Sequence, residues 1–130
     1  MGLADVSSFV QGDFLDVNLE ASKYDCAVVG FLLSHLMFQQ EKVFFRKLEE
    51  ILKVNPQLMF IDSAWNKRRQ RHREKEGVQE RVLDGRTFRV YKRYFDKSDV
   101  EEMLKRYGFE VTSYYTGEAL IATIAQSCWQ

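Results

Sequence analysis

The apolar and polar positions divide the chain into segments of two different periods. Residues 24–30, Tyr-Asp-Cys-Ala-Val-Val-Gly, form a β-branched run with almost no polar interruption, and residues 57–62 form another through Leu58, Met59, Phe60 and Ile61. Runs of this kind predict strands covered on both faces, as in parallel sheets. A shorter apolar stretch at 8–11, ended by Gly12-Asp13, predicts a strand ahead of them. Between the two long runs the period changes. Phe44, Leu48, Ile51 and Leu52 recur at i, i+4, i+7 and i+8, with Val43 widening the stripe, which is one face of a helix over 40–53. That helix has to stop before Asn55-Pro56, because the residue preceding a proline disfavours the helical region. The first half therefore reads β, β, α, β.

The second half has another character. Residues 66–76 hold Lys67, Arg68, Arg69, Arg71, Arg73 and Lys75 against Glu74 and Glu76, with His72 among them, a local formal excess of +4 that reads as a solvated helix face. Residues 78–83 and 86–94 alternate in part and are joined by Asp84-Gly85, a dipeptide suited to the positive φ angles of a tight hairpin turn. Ser98 precedes Glu101 at the spacing of a capping box, and Val100, Met103, Leu104 and Tyr107 share a helical face that Gly108 terminates. Residues 109–115 alternate again, Thr116-Gly117 turns the chain, and 119–125 are apolar. The expectation is an α/β fold over a single domain, 1–130, whose mixed sheet finishes in an antiparallel β-hairpin, with 66–95 a basic helix and β-ribbon set into it.

Composition narrows the class. With 130 residues, 45% of them apolar, the chain can bury roughly two thirds of its unfolded surface and needs no metal or disulfide to hold a core. Nineteen basic residues balance nineteen acidic ones, which argues against a wholesale nucleic-acid coat and leaves room for a local patch. Cys26 and Cys128 stand far apart without a second pair, which excludes a disulfide scaffold and a Cys-rich zinc site and suits a reducing, cytoplasmic location. Cys26, inside a strand, reads as buried filler. Residues 1–6 show no basic region leading into an apolar core, and no apolar run approaches the roughly 18 residues of a membrane span, so neither a leader nor a membrane location is expected.

In open α/β sheets, ligands lie beyond the carboxyl ends of the strands. Three such ends are expected, at Gly12-Asp13-Phe14, at 30–35 and at Asp62-Ser63-Ala64-Trp65. An acid beside an aromatic, as in Asp13-Phe14, suits an exocyclic amine and the planar base that carries it; the plainer reading is a turn in which Asp13 bonds local amides. His35 is a weak candidate for proton transfer. Ser34 beside it makes no hydrolase, since the Gly-x-Ser-x-Gly elbow is missing. Trp65 is a candidate substrate wall. The basic stretch 67–75, with Arg86, Arg89, Lys92 and Arg93 and the interleaved Tyr91 and Tyr94, suits an anionic substrate or nucleic acid. The chain's neutrality weighs against nucleic acid.

The segments 9–16, 24–29 continuing through Ser34-His35-Leu36, and 47–53 leading into Leu58-Met59-Phe60-Ile61-Asp62 resemble the middle and C-terminal part of class I S-adenosylmethionine-dependent methyltransferases. Residues 81–90, then 95–102 and Tyr107-Gly108-Phe109, resemble one small-substrate-like branch of that superfamily. The resemblance implies a Rossmann-like methyltransferase fold, S-adenosylmethionine as cofactor, no metal, and methyl transfer to an unidentified acceptor. It places Asp13 on the adenine amino group, Phe14 against the ring and Gly30 with Phe31 along the methionine part, and leaves Trp65, Arg86 and Arg93 for the acceptor. The sequence departs from the pattern at the front: no paired-glycine loop and no acid for the ribose hydroxyls precede residue 8, so the chain resembles an incomplete fold whose cofactor affinity is weak. A homodimer through the exposed sheet edge at 26–29 is a further expectation. The alternative, from another class, is a non-enzymatic module that binds RNA or an acidic partner through 67–93.

Overall fold

The computed structural model describes residues 6–129. In chain order they form β1 (Tyr24–Gly30), a 3-10 turn (Leu33–His35), α1 (Phe38–Ile51), β2 (Leu52–Ser63), α2 (Lys67–Gln70), β3 (Glu76–Leu83), β4 (Arg86–Arg93), α3 (Lys97–Arg106), β5 (Phe109–Thr116) and β6 (Leu120–Ser127). The main sheet has the order β1-β2-β6-β5, with β1 parallel to β2 and both other pairings antiparallel. β3 and β4 make a separate two-stranded ribbon. The expected mixed sheet and closing hairpin are both present. The 8–11 strand is not: these residues are irregular, with Phe9 93% exposed, and no neighbouring strand is there to complete their backbone hydrogen bonds.

One face of the sheet carries the core. Val29 of β1, Leu58 and Phe60 of β2, and Ile121 and Ala125 of β6 are buried, and the register sets them side by side, Leu58 opposite Ala125 and Val29 opposite Phe60. Phe44, Phe45, Leu48 and Ile51 of α1 and Val100, Met103 and Leu104 of α3 join them in one cluster. Phe45 of α1 stacks on Tyr107 at the end of α3, with ring centroids 4.1 Å apart. The opposite face is open. Val28 is 68% exposed and Ile124 39%, so runs that look covered on both faces in the sequence are covered on one. Cys26, expected to be buried filler, is exposed for the same reason.

Local chemistry fixes the boundaries. β2 extends back to Leu52 through an irregularity in which Tyr24 pairs with Leu52 but Cys26 already pairs with Gln57, and Asn55 in this excursion has φ 57°. The proline thus lies inside the strand's limits, buried and outside the regular ladder, where its missing N–H costs nothing. The hairpin turn has φ 51° at Asp84 and 74° at Gly85, as the dipeptide predicts. The capping box of α3 is built by Asp96 and Asp99, two residues before the Ser98/Glu101 pair that the spacing suggests. Asp96 is the last extended residue, and each carboxylate accepts the other's amide at 2.9 Å. The basic stretch forms a single turn, α2, capped by Asn66, whose Oδ1 accepts the Arg69 amide at 3.0 Å.

Candidate functional site

β1 and β2 run parallel and present their carboxyl ends together. β1 stops at Gly30, and Phe31 adopts φ 55°, an uncommon conformation for an aromatic residue, held by its amide donating to the Ile61 carbonyl at 2.8 Å. Along β1 lies a groove of about 400 Å³ lined by Phe14, Tyr24, Ala27, Val29, Gly30 and Leu32 with the apolar face of α1, and no charged residue lines it. Phe14 packs on Phe44 with centroids 5.1 Å apart, and the Lys47 ammonium sits 5.1 Å from the Phe14 ring. Of the four residues expected to meet the cofactor, Phe14 and Gly30 share this groove. Asp13 is exposed and occupied locally: Oδ1 accepts the Leu15 amide at 2.9 Å and its carbonyl accepts the Asp16 and Val17 amides. Phe31 is 54% exposed and lies outside the lining.

A polar cluster that sequence reasoning did not single out sits at the end of β2. Asp62 is fully buried, with Oδ2 accepting the Ser34 amide at 3.1 Å and Oδ1 the Ser63 amide at 2.7 Å. Lys92, reaching in from the foot of β4, donates to the Ser34 and Ser63 hydroxyls at 2.9 and 2.8 Å and lies 3.7 Å from Asp62. The ribbon is thereby fastened to the loop after β1 and to the end of β2. Burial pushes the Lys92 ammonium below its ordinary range; Asp62 opposes this, while Arg69 and Arg81 add to it by like-charge repulsion. Strand alternation was the available signal, since Lys92 and Arg93 must point to opposite faces.

Tyr94 extends the same side. Its hydroxyl accepts from Gln79 Nε2 at 2.9 Å, and the Arg69 guanidinium lies 4.5 Å from its ring. Burial raises the Tyr94 phenol, yet the donors Gln79 and Arg69 and the nearby Lys92 charge outweigh it and leave the phenol below its usual range. Trp65, half-buried just past the end of β2, has its ring centroid 6.0 Å from that of Tyr94. On the other face of β4, Tyr91 donates to Glu76, and burial together with that carboxylate pushes its phenol up to about 12.

The remaining candidates separate. Arg93 is committed to the interior: it contacts Glu41 Oε1 at 2.5 Å and the Leu33 carbonyl at 3.3 Å, and Glu41, fully buried, also binds Arg106 at 3.2 Å and the Tyr107 hydroxyl at 2.7 Å. Its expected role toward an acceptor gives way to that of a structural cation, because seven residues along β4 place it on the face opposite Arg86. Arg86 is exposed beside the hairpin turn. His35, exposed, donates its Nδ1 proton to the Tyr91 carbonyl at 2.9 Å, which makes it a tie between the loop and the ribbon.

No family model matches the chain. It is 28% identical over 111 residues to a protein of Geobacillus sp. (strain WCH70) named as an uncharacterized methyltransferase, matching 85% of this chain and 52% of that one. A DhpI complex with S-adenosylhomocysteine superposes with a TM-score of 0.71 at 16% identity over 92% of this chain and 54% of that one. An S-adenosylmethionine-dependent methyltransferase from Methanosarcina mazei superposes at 0.73 and 16% identity, over 92% and 66%. The fold is that of a class I methyltransferase. The chain spans about half the length of the curated relative it matches. Within this methyltransferase fold, the apolar groove fits the adenine ring and methylene groups of S-adenosylmethionine, whereas its lining brings no charged group to the ribose hydroxyls or the amino-acid end. Among the described residues no helix is long and apolar enough to cross a membrane.

Proposed function

We propose that this chain supplies the acceptor-facing half of an S-adenosylmethionine-dependent methyltransferase, whose reaction moves the donor's methyl group to an acceptor and releases S-adenosylhomocysteine. The observation that carries this reading is the parallel β1-α1-β2 unit continued by antiparallel β6 and β5, an arrangement superposable on methyltransferase structures over nine tenths of the chain. Phe14 and Gly30 flank the adenosyl and methionine parts from the groove, with Asp13 and Phe31 at its margins. Trp65 and the ribbon bound the acceptor side, which the Lys92 cluster fixes in place. Methyl transfer from a sulfonium needs in-line placement above all, so a rigid loop after β1 matters more than a dedicated base. The reading includes a homodimer joined through the free edge of β1 and a cytoplasmic location, supported by two unpaired exposed cysteines. The alternative RNA-binding module has no comparable support.

Titrating the labelled chain with S-adenosylhomocysteine tests the proposal by nuclear magnetic resonance. Amide shifts confined to residues 13–15 and 27–32, saturating no tighter than roughly millimolar (about −4 kcal/mol), are expected from a site lacking its polar anchors. Shifts elsewhere, or none at several millimolar, would overturn the assignment of the groove; micromolar affinity would overturn the claim that the chain holds half a site.

A further inference from the structure

The ribbon sorts its charges by face. The register pairs Gly77 with Lys92, Gln79 with Val90, Arg81 with Phe88 and Leu83 with Arg86, so these eight residues share one face. The other face takes Glu76, Val78, Glu80 and Val82 with Thr87, Arg89, Tyr91 and Arg93. Both strand acids, Glu76 and Glu80, lie on the second face, where two arginines match them. The first face has Arg81, Arg86 and Lys92 and no acid at all; Asp84 sits in the turn beyond the strands.

This cationic face meets the body at the carboxyl ends of β1 and β2 through Lys92 at its foot, bound to Ser34, Ser63 and Asp62, while Arg93 anchors the other face to the Leu33 carbonyl and Glu41. Among the described residues Asp62 is the carboxylate that answers Lys92, and it is already engaged by two amides. Arg69 joins from α2 against Tyr94, and Arg81 is held along the face by donating to Gln79 Oε1 at 2.7 Å while Gln79 donates to Tyr94. Apolar surface lies between the charges, with Phe88 45% exposed and Leu83 65%. Arginines that share a ribbon face with an exposed aromatic residue and with no acid on that face match a ligand with an anionic group on a planar apolar body. A polyanion would need a longer row of cations than these, on a chain whose overall charge is zero.

We infer that the ribbon face bearing Arg81, Arg86 and Phe88 binds an aromatic small molecule carrying a carboxylate or phosphate, and that this molecule is the class of acceptor the site takes. The name acceptor rests on the methyltransferase reading; the anion site itself does not. Arg81 and Arg86 hold the anionic group, Phe88 covers the ring, and Lys92 keeps the ribbon seated above the strand ends.

The test is calorimetric titration with phenyl phosphate, repeated with inorganic phosphate and with a twelve-nucleotide single strand. Saturable binding of phenyl phosphate tighter than inorganic phosphate is expected, with Arg81→Gln and Arg86→Gln each weakening it about two- to fivefold, the worth of one exposed charge contact. Arg89→Gln, on the opposite face of the same strand, should leave it unchanged. Equal weakening by Arg89→Gln, no preference for the aromatic phosphate, or an absence of saturation would overturn the site. Tighter binding of the oligonucleotide with a steep loss in salt would assign the face to nucleic acid instead. Because no methyl donor is present, failure here leaves the cofactor titration to stand or fall by itself.

Discussion

Arg93 is the residue on which a structural and a functional reading diverge most, and replacing it with methionine separates them. Methionine keeps an unbranched apolar stem and deletes the guanidinium that joins β4 to Glu41 of α1 and to the Leu33 carbonyl. Breaking a fully buried ion pair costs about 3–5 kcal/mol, because a charge is stranded in the interior. Here the cost is smaller: the Arg93 side chain keeps 19% exposure, and Glu41 retains Arg106 and the Tyr107 hydroxyl. A loss of about 2–3 kcal/mol is expected. At the usual unfolding entropy per residue, a 130-residue chain loses some 4 °C of Tm per kcal/mol, which gives a fall of about 8–12 °C. Arg86→Met, at the exposed end of the ribbon, should change stability by no more than about 0.5 kcal/mol. Urea unfolding followed by circular dichroism measures both. The double variant with Glu41→Gln should lose less than the two single losses combined, since both changes break one network. If Arg93→Met unfolds within 0.5 kcal/mol of the parent while weakening phenyl phosphate as Arg86→Gln does, the assignment of Arg93 to the interior is wrong.

Two further outcomes follow from the capping box and the sheet edge. Asp96 is held below its ordinary pKa: burial opposes this, but the Asp99 amide and Lys75 outweigh it, so its contribution is present above about pH 4 and lost as pH falls through its lowered folded value. Asp96→Ala should cost about 1 kcal/mol at neutral pH and flatten the acid limb of the stability curve; an unchanged acid limb would show that the cap is not the titrating element. In sedimentation at micromolar concentration the parent chain should run as a dimer and Val28→Lys as a monomer, because a charge on an edge strand opposes pairing; a monomeric parent would rule out the β1 edge as an interface.

The elements that were legible in the sequence are those whose signals are local. Asp84-Gly85 specifies its turn by backbone chemistry, the 3.6-residue stripes of α1 and α3 specify their buried faces, and Gly108, at φ 84°, stops α3 where a Cβ would stand 2.6 Å from the Trp129 indole nitrogen. What was not legible depends on neighbours. An apolar run such as 24–30 is compatible with one covered face or two, and only the set of elements packed against it decides; here α1 and α3 take one side and Val28 and Cys26 face outward. The segment 8–11 has strand composition and no strand beside it, so its propensity has nothing to act on.

The candidate site shows the same division at the scale of single side chains. Gly30 ends β1, a local feature, and Phe14, expected at the end of a strand that does not form, shares its groove through packing on Phe44. Lys92 and Arg93, adjacent and both basic, could not be ranked by type, and composition would favour the arginine as the ligand-facing residue. The pleat decides otherwise: alternation sends Arg93 to the Glu41 network and Lys92 to Asp62, and by the same rule puts Arg81 and Arg86 on the Lys92 side, away from both strand acids. A charge excess invisible in a chain of zero net charge therefore becomes one-sided once the ribbon's register is fixed, and the register is set by two residues, Asp84 and Gly85. Lengthening that turn by one residue would slip the pairing, bring Glu80 onto the opposite relation to Arg89, and dissolve the segregation without altering a single charge.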